Sequence, residues 1–150
     1  MKMKLLGALM GCAMLAMPAI AQPGPPQAAP AVDYAVQLQQ GDVILKDFRF
    51  GTGEVLPELR MHYATLGTPK RDAKGRVTNA VMVLHGTGGT GLQFLQPQFA
   101  QELFGPGQPL DITKYYIILP DNIGHGKSSK PSDGLRMRFP AYDYTDMVRA

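Results

Sequence analysis

The chain has 150 residues, with 15 basic and 12 acidic side chains, a formal charge of +3 and one cysteine. That length carries at most one ordinary domain, and a near balance of charge with no basic stripe among aromatics argues against nucleic acid as a partner. The only cysteine, Cys12, lies in the N-terminal apolar run, so nothing after it has disulfide or thiol chemistry.

The first 21 residues read as an export signal. Lys2 and Lys4 precede an apolar core, Leu5 to Met17, and Ala19-Ile20-Ala21 is a small-x-small cleavage site before Gln22. The core is shorter than the ~20 apolar residues of a membrane span, and Pro18 closes it. Cleavage after Ala21 predicts export to the periplasm with no remaining membrane attachment. A lipid on Cys12 ranks behind, because it would halve the apolar core. Losing Lys2 and Lys4 lowers the formal charge from +3 to +1, so the basic balance belongs partly to the signal. Residues 22–31 form a Pro/Ala-rich linker with nothing to bury. The remainder, 32–150, is the part expected to fold.

Asp42 to Phe50 ends in the alternation Phe48-Arg49-Phe50, and Gly51-Thr52-Gly53 marks a turn. Leu59 to Tyr63 also alternates, with Leu59, Met61 and Tyr63 on one face and Arg60 and His62 on the other. These segments predict an antiparallel hairpin with His62 in solvent. Ala80 to Leu84 is continuously apolar, as in a strand covered on both faces, and runs into His85-Gly86-Thr87-Gly88-Gly89. Leu92, Leu95, Phe99 and Leu103 recur at helical spacing. Pro97 places the start of the regular helix, and Gly105-Pro106-Gly107 ends it. Leu110 to Lys114 is a short turn before a second buried strand, Tyr115 to Leu119. A second glycine loop follows, Asp121-Asn122-Ile123-Gly124-His125-Gly126-Lys127-Ser128. Lys127 to Pro140 reads as a polar loop, and Asp143 with Asp146 as a helix cap. Strand, loop, helix and strand predict a right-handed parallel crossover. The fold class is therefore α/β, a mixed sheet that starts with a hairpin and continues as a βαβ unit.

Parallel strands present their carboxyl ends to ligands, and both glycine loops lie at such ends. Gly88 and Gly89 let the backbone turn and approach a ligand closely, and a helix after the loop adds potential favourable to negative charge. This suits acyl transfer, whose carbonyl oxygen becomes an oxyanion in need of fixed donors. No cofactor or metal site is expected. The partner class is a small ester or acyl substrate.

His85-Gly86 after one buried strand and Asp-x-x-Gly-His-Gly-x-Ser after the next resemble the α/β-hydrolase superfamily. The longer wording, Glu102 to Asp111 and Leu119 to Ser129, is similar to hydrolases grouped with homoserine O-acetyltransferase. The resemblance covers roughly Asp42 to Ala150. It implies an eight-stranded sheet whose third and fourth strands are Ala80–Leu84 and Tyr115–Leu119, in the order 1-2-4-3-5. It implies that Thr87 supplies one oxyanion-hole N–H, the other coming from the residue after a nucleophilic serine. His85 would shape its loop without acting as the catalytic base, and Asp121, Gly124, His125 and Gly126 would fix the neighbouring loop.

The nucleophile elbow Gly-x-Ser-x-Gly does not occur, so no residue of the Ser/Asp/His triad is assigned. Ser128, Ser129 and Ser132 read as loop hydroxyls. The expectation is an N-terminal part of the hydrolase domain that stops before the elbow, is inactive alone, and leaves Ala80–Leu84 as an unprotected edge. The export signal favours an exported esterase-like hydrolase over a biosynthetic homoserine O-acetyltransferase-like enzyme. A non-catalytic product is a further alternative. So is a dinucleotide-binding domain, since Gly86-Thr87-Gly88-Gly89-Thr90-Gly91 satisfies Gly-x-Gly-x-x-Gly. Leu92 stands where a phosphate loop needs lysine. Arg136 and Arg138 read as solvated, with an acidic substrate as the alternative.

Overall fold

The computed structural model describes residues 33–150. The expected signal (1–21), with Cys12, and the expected linker (22–31) lie outside the described residues. A mixed sheet organises the rest: β1 (Gln39–Arg49), β2 (Val55–Leu66), β3 (Ala80–Met82) and β4 (Tyr116–Pro120), in the spatial order β1-β2-β4-β3. The helices are α1 (Pro97–Leu103) and α2 (Tyr144–Arg149).

The hairpin forms as expected and is longer at both ends. β1 pairs antiparallel with β2 from Gln39↔Thr65 to Arg49↔Val55. The far edge of β2 pairs antiparallel with β4, from Tyr63↔Pro120 to Leu66↔Ile117. β3 joins β4 in parallel, Ala80↔Tyr116 to Met82↔Ile118, with α1 in the crossover. β2 is thus interior to the sheet, and its C-terminal end, Ala64 to Leu66, is buried throughout.

Cross-strand partners share a face, so Ala64 with Leu119 and Leu66 with Ile117 build one apolar surface. Ala100 and Phe104 pack on it, and Tyr34 meets the Phe104 ring edge-on at 5.8 Å. Pro97 stands at the first turn of α1, where its missing N–H would be unpaired anyway. A second cluster, Phe48, Phe50, Leu59 and Ile123, gathers Phe139, Tyr142 and Met147 around the β1–β2 turn and α2. The Asp143 carboxylate caps α2 by accepting the Thr145 and Asp146 N–H groups, and Asp146 reaches back to the Asp143 N–H.

The strand expected at Ala80–Leu84 is shorter and less covered than its composition suggested. Only Ala80–Met82 is ladder-paired strand, with one further bond from Val83 N–H to Ile118 O at 2.9 Å. Met82 and Leu84 are each 60% exposed. The reason is position. Among the described residues β3 is an edge strand, and α1 packs on the face carrying Ala64 and Leu119. On the opposite face lies an apolar depression of about 650 Å³ lined by Met61, Tyr63, Met82, Leu84, Pro120 and Val148 among others.

Candidate active site

The loop after β3 is a tight turn. The Gly89 N–H donates to Gly86 O at 3.0 Å, and Gly88 takes φ +76° while Thr87 stays at negative φ. An i to i+3 bond with a left-handed third residue is a type II turn, which needs glycine there. Thr87 is the second residue of that turn, exposed, and its N–H donates to no acceptor among the described residues. The regular helix begins at Pro97, as the sequence predicted, and so does not follow this loop directly. A 3₁₀ turn, Gly91–Leu95, intervenes. No α-helical N-terminus therefore points at the glycines, which removes both the helix-dipole contribution and the pyrophosphate cradle of the dinucleotide reading.

His85 is 7% exposed and uses both ring nitrogens. Its Nε2 accepts the Asn122 N–H at 3.0 Å, which leaves Nδ1 to donate to Gly86 O at 2.8 Å. The same Gly86 carbonyl closes the turn, so the His85 ring ties Thr87's loop to the loop after β4. His125 stacks obliquely on it, ring centroids 5.1 Å apart, with its own Nδ1 3.1 Å from Ile123 O.

Asp121 is the anchor of the second loop and is 3% exposed. One carboxylate oxygen accepts the Gly91 N–H and the other the Lys127 N–H, both at 2.8 Å. Gly126 lies directly against that carboxylate, at φ +52°, and a Cβ there would overlap it. Gly124 takes φ +85°, and its N–H donates to Ser129 O at 2.9 Å. Each residue of the Asp-x-x-Gly-His-Gly run thus has a physical task in shaping one compact loop beside Thr87.

Some expectations need correction. His62 is not in solvent: it is 7% exposed, with Nδ1 2.7 Å from Asp42 Oδ1 and Nε2 3.1 Å from Gln40 Oε1. That Gln40 oxygen also accepts from Lys127 Nζ at 2.8 Å. Alternation along β2 predicted the face His62 occupies, but only the register places Asp42 directly opposite it. Ser128 is a loop hydroxyl, as the sequence predicted, but not a solvated one. It is fully buried, its Oγ accepting the His62 N–H at 2.8 Å and donating to Asp121 O at 2.7 Å. Ser129 Oγ accepts the Arg60 N–H at 2.9 Å. These hydroxyls lock the second loop onto β2. Ser132, Arg136 and Arg138 stay exposed on the loop, which holds the short 3₁₀ turns Pro131–Asp133 and Arg136–Arg138.

No protein-family model matches the chain. It is 34% identical over 113 residues to a homoserine O-acetyltransferase from Thermobifida fusca, covering 66% of this chain and 29% of that protein. It is 30% identical over 105 residues to a probable acyltransferase from Methanothermobacter thermautotrophicus, covering 69% of this chain and 31% of that one. Among solved structures, an acetylester hydrolase from Corynebacterium glutamicum superposes with a TM-score of 0.62 at 26% identity, covering 75% of this chain and 31% of the other. The chain thus spans 29% and 31% of the length of these curated relatives. Strand order, loop wording and relatives agree: the chain belongs to the α/β-hydrolase superfamily, carrying the N-terminal portion of its sheet and resembling the hydrolases grouped with homoserine O-acetyltransferase.

Proposed function

We propose that this chain supplies half of an oxyanion hole to an exported enzyme that transfers the acyl group of a small ester, with water as the acceptor. The observation that carries the reading is the Thr87 N–H. It sits uncommitted on a type II turn at the tip of β3, and the His85 ring braces that turn against the next loop. A donor held in this way is in place before the carbonyl oxygen gains charge, so it has little reorganisation to pay for as the tetrahedral intermediate forms. The export signal ending at Ala21 favours hydrolysis outside the cytoplasm over biosynthetic transfer. The relatives named homoserine O-acetyltransferase support transfer to an amino-acid hydroxyl as the second reading.

Thr87→Pro tests the donor. Proline suits the second position of a type II turn and removes the N–H along with the exposed threonine side chain. For the full natural polypeptide acting on p-nitrophenyl acetate, kcat is expected to fall about 10²–10³-fold with an unchanged far-UV CD spectrum. An unaltered kcat would remove Thr87 from the hole. Product analysis separates the acceptors: free acetate supports hydrolysis, and O-acetylhomoserine formed from acetyl-CoA and homoserine supports transfer.

A further inference from the structure

The two central glycines of the first loop are glycines for different reasons. Gly88 needs its left-handed φ of +76° and has open space around it. Gly89 is not left-handed. A Cβ at Gly89 would instead collide with Gln93 Oε1 and stand 3.0 Å from Gln93 Cδ. The missing side chain at 89 leaves room for the Gln93 carboxamide against the glycine turn.

That carboxamide is held from behind and free in front. The Gln93 N–H donates to Thr90 O at 3.1 Å, and its carbonyl accepts the Gln96 N–H at 3.2 Å, closing the 3₁₀ turn. Gly91 at the start of that turn is fixed by Asp121 at 2.8 Å. The platform thus hangs from the carboxylate that also anchors the second loop. Gln93's own side-chain oxygen and nitrogen bond to no other described residue, and neither is sealed from solvent. They border an open hollow of about 400 Å³ with Gly88, Gly89, Thr90, Leu92 and Gln96. No charged side chain lines it, so an ionic ligand finds no counter-charge. A carboxamide offers a donor and an acceptor together, the combination a hydroxyl group can use in both senses.

We infer that this hollow is a substrate subsite for a neutral hydroxyl-bearing part of the ester, and that Gln93 determines specificity there. The inference rests on the acyl-transfer reading above and adds which side of the glycine turn the polar part of the substrate occupies. The Gln93 carboxamide lies against Gly89, two residues from Thr87 on the same turn, which puts the subsite beside the donor that the acyl-transfer reading uses.

The test compares the full natural polypeptide with its Gln93→Leu variant on matched esters. Glyceryl monoacetate against propyl acetate varies the alcohol, and methyl 3-hydroxybutyrate against methyl butyrate varies the acyl group. In at least one pair, kcat/KM for the hydroxylated ester is expected to fall about tenfold in the variant while its apolar twin changes less than about twofold. Equal losses on both members of both pairs, or no loss on any, overturn the inference and leave the acyl-transfer reading intact. Where the wild type turns over none of these esters, that reading fails, and the subsite is judged by binding alone. The Gln93 side-chain NH₂ resonances, assigned by their loss in the variant, should then shift on titration with glyceryl monoacetate and not with propyl acetate. No selective shift overturns the inference in that case as well.

Discussion

With its two carboxylate oxygens accepting N–H groups from different loops, Asp121 holds Gly91 and Lys127 at fixed distance across the strand tips. An asparagine would keep one acceptor and turn an NH₂ toward a backbone donor, leaving that buried N–H unpaired. Asp121→Asn is therefore expected to cost about 2–3 kcal/mol of stability, read as a lower urea midpoint at unchanged m-value. An unchanged midpoint would show that the loops stand without this carboxylate. The loop-shaping roles of His85, Asp121 and Gly126 were expected from the resemblance of their loops to the superfamily's wording. The roles of His62 and Ser128 were not. Their partners, Asp42 and Asp121 with its loop, lie 20 and 7 residues away and meet them only through strand register and loop closure.

The crossover between β3 and β4 depends on the turn after α1, and that turn depends on Asp111. Its carboxylate is 2% exposed and accepts the Thr113 hydroxyl, the Thr113 N–H and the Gly107 N–H. The Thr113 hydroxyl first, and then the Gly107 N–H, hold the carboxyl well below its ordinary value of 3.8. A carboxylate lowered by folding stabilises the folded state fully above its unfolded value, and this contribution drains away as pH falls toward the folded one. The wild-type advantage over Asp111→Asn in urea midpoint should thus be constant near neutral pH and shrink from about pH 4 downward. A pH-independent difference would mean that the hydrogen bonds matter and the charge does not. At this scale patterning served well. The hairpin, the start of α1 at Pro97, the crossover and the cap at Asp143 all follow from local spacing. The 3₁₀ turn at Gly91–Leu95 did not follow, because Leu92 and Leu95 satisfy either helical period.

Across the whole sheet the two faces are unequal. One is sealed by Ala100 of α1 and by Phe104 just after it, while the other presents Met82, Leu84 and Val148 around the apolar depression. An apolar edge strand beside an uncovered face favours self-association. Replacing Met82 and Leu84 together by glutamate is expected to weaken concentration-dependent association of residues 22–150 about tenfold, roughly 1.4 kcal/mol, in sedimentation velocity. Equal association in both proteins would place the contact elsewhere. Apolar composition alone marked Ala80–Leu84 as interior, since the residues of a central strand and of an edge strand awaiting cover are the same. By itself the sequence determined what is local: which segments become strands and helices, where glycine must turn the chain, and which superfamily's loop wording it carries, because backbone sterics and short-range periodicity act within a few residues. Tertiary structure alone decided which face is covered, that His62 meets Asp42, that Ser128 is sealed inside, and that Gln93 lies on Gly89. Each of those is a meeting between separate segments, set by strand order and register, and no pattern within one segment encodes it.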